Sequence, residues 1–242
     1  MRNAIYAALL ALVFVTPAAN ADVTPLVIGG KPASEPYPFA ASLQSRGGGH
    51  FCGGILIRPQ WVLTAAHCLE GKNPSGVQVR VGSTNRTTGG TVRPAARLIR
   101  HDRDDQGLIQ LSAPVTHQPA PIAAAAPAGL PIRLLGWGAT KDPGNAPAPT
   151  VLQELDSRVL ADNAPGCHTN AATLCTDNPD GWRGVCYGDS GGPAVTRTGT
   201  GWAAVGTVIG QIGGRWCADA PQVFSDVPAH RAWIESHTGQ VA

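Results

Sequence analysis

The sequence predicts an all-β protein, built as two packed antiparallel β-barrels with one helix near the C-terminal end. Three observations carry that expectation. Glycine (30) and proline (21) are dense among the 242 residues, and both are poor in helix interiors. Short apolar runs separated by turn-forming residues recur on either side of an Ala/Pro-rich connector. Only the last stretch has helical spacing. With 43% hydrophobic and 14% charged residues, the chain can bury a core and is not a charge-rich disordered segment. Its net charge of +2, with no block of like charge, excludes the electrostatic footprint of a nucleic-acid or membrane-surface protein. Only three of the 18 basic residues are lysines, a bias that a GC-rich bacterial genome produces.

At the N-terminus, Arg2 precedes an apolar run from Ala4 to Val15, and Ala19-Asn20-Ala21 follows. A positive start, a short apolar stretch and a small-x-small exit describe a secretory signal peptide over residues 1–21. The run is too short for the roughly 20 residues of a spanning helix. The expected product is exported and free of the membrane. Residues 22–26 then form a short segment before Val27-Ile28-Gly29-Gly30.

The strands follow in order. Phe51 to Ile57 and Trp61 to Thr64 are apolar runs. Val77-Gln78-Val79-Arg80-Val81 alternates with the period of a half-buried strand. Leu108 to Leu111 is the next. Residues 119–131, nearly all Ala and Pro, read as an extended connector. A second strand-rich half spans about 132–228, with runs at Leu134–Gly138, Val151–Leu160, Gly201–Ile212 and Val223-Phe224. The helix covers about 229–237: Pro228 suits a first turn, and Ala229 and Trp233 share a face.

Export makes the six cysteines readable as three disulfides. Spacing alone does not choose among the possible pairings. No two lie at the Cys-x2-Cys spacing of zinc sites, and no acidic loop resembles a strong calcium site, so neither metal nor cofactor is expected. Asn85-Arg86-Thr87 is a glycosylation sequon without relevance in a bacterial chain. Apart from His67, the histidines (His50, His101, His117, His168, His230 and His237) read as surface residues.

Three strings carry chemistry. In Gly188-Asp189-Ser190-Gly191-Gly192-Pro193, the glycines let the backbone turn sharply and free N–H groups for an oxyanion, while the serine needs a base to become nucleophilic. Leu63-Thr64-Ala65-Ala66-His67-Cys68 offers that base. A base histidine needs a buried acceptor to fix its tautomer. Asp102, Asp104 and Asp105 compete for that role before Leu108-Ile109-Gln110-Leu111; the apolar register favours Asp105, with Asp104 as fallback.

Together these strings resemble the chymotrypsin/trypsin-like serine protease family, from Val27 to the C-terminal helix, in the family's order of His, Asp and Ser. Val27-Ile28-Gly29-Gly30 resembles its mature N-terminus, and Gly136-Trp137-Gly138 its mid-chain Gly-Trp-Gly. The resemblance implies two six-stranded barrels, about 27–120 and 132–228, within a domain of residues 27–242, and a propeptide at 22–26. It implies that Ser190 attacks, His67 shuttles the proton, Asp105 orients His67, and the N–H groups of Gly188 and Ser190 form an oxyanion hole. It implies an activation ion pair between the Val27 amine and Asp189, and disulfides Cys52–Cys68, Cys167–Cys175 and Cys186–Cys217. Gly184 falls at the floor of the specificity pocket, with Val185, Gln211, Ile212 and Gln222 on its walls, which implies cleavage after apolar, small-to-medium residues. The implied partners are protein or peptide substrates and protein inhibitors of proteases, with the chain a secreted monomer. Ile209 stands where the family usually has a serine beside the catalytic aspartate.

Two other readings compete. A non-catalytic homologue acting as a binding protein usually loses the histidine or the serine, and both are present. An α/β-hydrolase esterase would satisfy Gly-x-Ser-x-Gly, but its chain order is Ser, Asp, His and its strands alternate with helices.

Overall fold

The structure, a computed structural model, describes residues 27–142, 148–167, 170–199, 201–211 and 213–240. The expected signal peptide and propeptide therefore lie outside the described residues. Among the described residues, thirteen strands and one α-helix run in the order β1 (Lys31–Pro32), β2 (Ala40–Ser45), β3 (His50–Arg58), β4 (Trp61–Thr64), β5 (Val77–Val81), β6 (Thr91–Arg100), β7 (Gly107–Leu111), β8 (Pro131–Gly136), β9 (Gln153–Arg158), β10 (Thr173–Thr176), β11 (Pro193–Thr198), β12 (Gly201–Gln211), β13 (Gln222–Asp226) and α1 (Arg231–Thr238).

Strands β2 to β7 close into a barrel in the order β2-β3-β4-β7-β6-β5. Its interior is filled by Leu43, Ile55, Leu63, Val79, Leu108 and Leu111, none more than 1% exposed. In β5 the alternation is direct: Val77, Val79 and Val81 are buried, while Gln78 and Arg80 are half-buried. The second half forms a seven-stranded sheet, β1-β9-β8-β11-β12-β13-β10, around Leu134, Leu155, Leu174, Val205 and Phe224. A single bridge, Val159 to Thr176, joins its β9 and β10 ends. Thus the second half is a curled sheet with one extra short strand. That strand, β1, comes from the segment counted in sequence with the first half; Lys31 pairs with Glu154. Helix α1 starts two residues later than the pattern indicates, an ordinary discrepancy at helix ends, and Ile234 seats it against the core of the first barrel.

Candidate active site

Each of the three chemical strings is placed by a strand end. Strand β4 pairs with β7, matching Thr64 to Gly107, so the segments just beyond Thr64 and just before Gly107 are neighbours. His67 opens a 3-10 turn after β4, and the disulfide Cys52–Cys68 fastens that turn to β3. Asp105 faces it: the His67 N–H donates to Asp105 Oδ1 at 2.8 Å, and Nδ1 lies 2.6 Å from Oδ2. A carboxylate only accepts, so Nδ1 carries the proton and Nε2 is left bare. Gln106 is fully buried and donates to Thr64 O at 2.8 Å, which locks the register. The adjacent Asp104 points elsewhere, toward His101 and His230. The Asp105 hydrogen bond raises the His67 pKa above the ordinary histidine value. Burial pulls Asp105 upward, but His67 and the Ala66 N–H outweigh it, and the carboxyl sits below the usual range. No hydroxyl from β12 reaches Asp105 among the described residues; Thr207 donates to Gln106 instead.

Ser190 lies on the turn between Cys186 and β11. The Gly53 N–H donates to Ser190 O at 2.7 Å, and Gly191 N–H to Val208 O at 2.8 Å, so the turn is stapled to both halves of the molecule. Gly191 has φ +72°, and a Cβ there would stand 2.1 Å from Thr64 Oγ1. Only glycine lets the serine turn approach β4, three residues before His67. Among the described residues the N–H groups of Gly188 and Ser190 have no intramolecular acceptor, and Ser190 Oγ makes no hydrogen bond to His67. Such bonds are often long before substrate arrives.

Asp189 is fully buried. Its Oδ1 accepts the Gly138 N–H at 2.7 Å and its Oδ2 the Cys186 N–H at 2.9 Å. Burial pushes its pKa up to about 7. The Gly136-Trp137-Gly138 string is explained here: a Cβ on Gly136 would lie 1.9 Å from Asp189 Oδ1, and one on Gly138 2.4 Å from Cγ. Val27 is also buried, in one apolar cluster with Val185, and Gly184 N–H donates to Ile28 O.

A cavity of about 260 Å³ opens beside Ser190, with Val185, Gln211 and Gln222 in its lining. Gly184 stands behind one of these lining residues. The missing side chain leaves space that Gln222 fills, its Cδ 3.0 Å from where a Gly184 Cβ would be. The Gln222 Nε2 donates to Ala220 O (2.6 Å) and Gln211 Oε1 (3.3 Å), while its Oε1 is buried without a partner. Arg215 and Trp216 line the cavity as well, and neither was anticipated. Ile212 lies outside the described residues. The other two cystine bridges join Cys167 to Cys175, and Cys186 beside the serine turn to Cys217 on the cavity rim.

His50 is a residue that the sequence reading misplaced. It is not a surface residue: its Nε2 donates to Gly188 O at 3.0 Å, and its Nδ1 accepts from Ser42 Oγ at 2.9 Å. Burial lowers its pKa to about 4, so it is neutral. It orients the 188–189 peptide next to the expected oxyanion hole. Nothing in Gly47-Gly48-Gly49-His50 signals this, because the contact spans 138 residues. His230, also expected at the surface, is buried, at 4% exposure, whereas His50 is half-buried.

Comparison with known proteins agrees with this architecture. The family model described as Trypsin matches residues 27–234. The chain is 35% identical to serine protease 1 of Canis lupus familiaris, over 93% of this chain and 95% of the relative. It is 33% identical to neutrophil elastase of Mus musculus, over 95% and 88%, and 30% identical to trypsin 5G1 of Aedes aegypti, over 88% and 85%.

Proposed function

The chain belongs to the trypsin family and is a serine-type endopeptidase acting on protein or peptide substrates; from that premise we propose that Ser190, His67 and Asp105 are its triad and that it works outside the cell on bonds following apolar residues. The observation that carries the triad is the pairing of His67 Nδ1 with Asp105 at 2.6 Å, which leaves Nε2 without a proton and able to take one. Ser190 Oγ attacks the scissile carbonyl as its proton passes to His67 Nε2. The imidazolium forms beside an ionised Asp105, which holds the ring and balances its charge. The oxyanion is received by the N–H groups of Gly188 and Ser190. His67 then protonates the leaving amine, an acyl-enzyme remains, and water attacks it with His67 again taking the proton.

The cavity beside Ser190 supports the specificity. Val185 and Gln222 stand in its lining, and on this reading they limit its width and depth. A lysine or arginine side chain would meet Arg215 rather than an opposite charge, and desolvating an unpaired cation costs several kcal/mol. Small and medium apolar side chains fit. Secretion rests on the N-terminal sequence; among the described residues no helix is long and apolar enough to cross a membrane. The buried, cation-free Asp189 supports activation by a cut after Leu26, its partner being the new Val27 amine.

The test is peptide hydrolysis by the protein beginning at Val27, with a panel of substrates differing only in the residue before the cut. Turnover should be greatest after Ala, Val or Leu and should fall by several orders of magnitude in Ser190→Ala. Full activity of a purified Ser190→Ala protein would remove the triad. A preference for Arg or Lys would remove the specificity alone.

A further inference from the structure

Asp104, one residue from Asp105, belongs to a cluster that the protease reaction does not use. It lies in the turn between β6 and β7, with His101 at one side and His230, at the start of α1, at the other. The Asp104 Oδ2 is 3.2 Å from His230 Nε2 and 3.4 Å from His101 Nδ1. The three ligand-capable atoms lie within 4.8 Å of one another.

The protons are assignable from the surrounding bonds. His230 Nδ1 is 2.7 Å from Asp226 O. A carbonyl only accepts, so Nδ1 holds a proton and Nε2 is the nitrogen turned to Asp104. His101 Nδ1 accepts the Asp104 N–H at 3.0 Å and, more weakly, the Arg103 N–H at 3.3 Å, so it is bare. Two imidazole nitrogens and a carboxylate oxygen thus converge in a place where His230 is 4% exposed. Two imidazole nitrogens and a carboxylate oxygen suit a borderline-soft divalent ion rather than Ca²⁺ or Mg²⁺. The spacing fits as well. Ligands about 2.0–2.1 Å from a tetrahedral Zn²⁺ stand about 3.3 Å from each other, near the two observed separations.

We propose that His101, Asp104 and His230 form a binding site for one Zn²⁺ ion, with water as fourth ligand. Bound there, the ion takes the His101 lone pair from the two backbone N–H groups and ties the turn carrying Asp105 to helix α1. Trp233, whose ring meets that of His101 at 5.1 Å, shields one side. The other group of similar composition, Cys52, His67 and Cys68, is not a rival, because both sulfurs are in a disulfide.

Titration of chelator-stripped protein with Co²⁺, followed by its visible absorption, tests the site without any assay of proteolysis. One Co²⁺ per chain should give the intense bands of tetrahedral coordination and be displaced by Zn²⁺. The signal should persist in His67→Ala, which keeps this proposal separate from the triad. His101→Gln and Asp104→Asn should each weaken binding by about tenfold or more and abolish the rise in melting temperature that Zn²⁺ gives the unaltered protein. His101→Gln is the decisive variant, since its side chain is partly exposed and its loss should spare the fold. Binding lost in His67→Ala, or unchanged in both other variants, overturns the proposal. So does a site that takes up only a proton, seen as no metal-dependent absorption.

Discussion

At the scale of single residues, the proposed pair of His67 and Asp105 predicts a pH dependence. A raised histidine pKa means that the base is still protonated at pH values where a free histidine, near about 6.5, is already neutral. The acid limb of kcat/KM should therefore lie above that value. Asp105→Asn should lower the rate by several orders of magnitude, because the tautomer is lost; Asp104→Asn should cost far less, and the reverse ranking would transfer the acid to Asp104. For His50→Gln we expect a lower kcat with little change in KM, since the ring holds Gly188 O and touches no substrate; an unchanged kcat would make His50 purely structural. Legibility at this scale follows sequence distance. His67, Asp105 and Ser190 sit in strings whose neighbours are constrained by the same chemistry. The role of His50 depends on a partner in the other half of the chain, and the packing of Gln222 against Gly184 likewise joins residues remote in sequence.

Among the elements, the proposed activation joins the segment 27–30 to the turn 186–192. In the described chain, Asp189 has two backbone donors and no cation. Its pKa is raised from an unfolded value of about 3.9 to about 7. The protonated form is the stable one, so the stability it contributes is complete below about pH 3.9 and is lost as pH rises toward 7. A protein beginning at Asp22 should show that loss. One beginning at Val27, with an ammonium to pair with the carboxylate, should not, and its turnover should be far higher. Equal turnover from verified, unprocessed samples would eliminate activation by cleavage. Strand legibility depended on burial pattern. β5 alternates and was plain. β2 is buried at five of six positions but built of small and polar residues, Ala-Ala-Ser-Leu-Gln-Ser. β6 carries Pro94 and three arginines, and β11 begins at Pro193; none of these three resembles an apolar run.

For the whole molecule, the join between the halves is a buried polar cluster around Glu154, which is 1% exposed. Tyr37 Oη and Ser34 Oγ donate to it at 2.6 and 2.7 Å, and Lys31 and Arg133 stand 3.4 Å away. Burial acts to raise its pKa, but these donors and cations hold the carboxyl below its ordinary value. Its stabilisation is thus present above about pH 4.3 and lost as pH falls through the lower folded value. Glu154→Ala leaves cations without their buried partner and should cost about 3–5 kcal/mol in urea unfolding; a loss within error would show that Glu35 and Asp156 hold Arg133 unaided. Two strand-rich halves could be read from the sequence. The transfer of β1 to the second sheet could not, because a two-residue strand has no periodicity of its own. The central proposal is a single nucleophile, Ser190, and the most direct measurement is to treat the protein beginning at Val27 with a fluorophosphonate and map the modified residue by tandem mass spectrometry. The account predicts one adduct, on Ser190, formed in step with loss of peptidase activity and absent in His67→Ala. Activity lost with the label on another residue, or Ser190 unlabelled in an active protein, would contradict it.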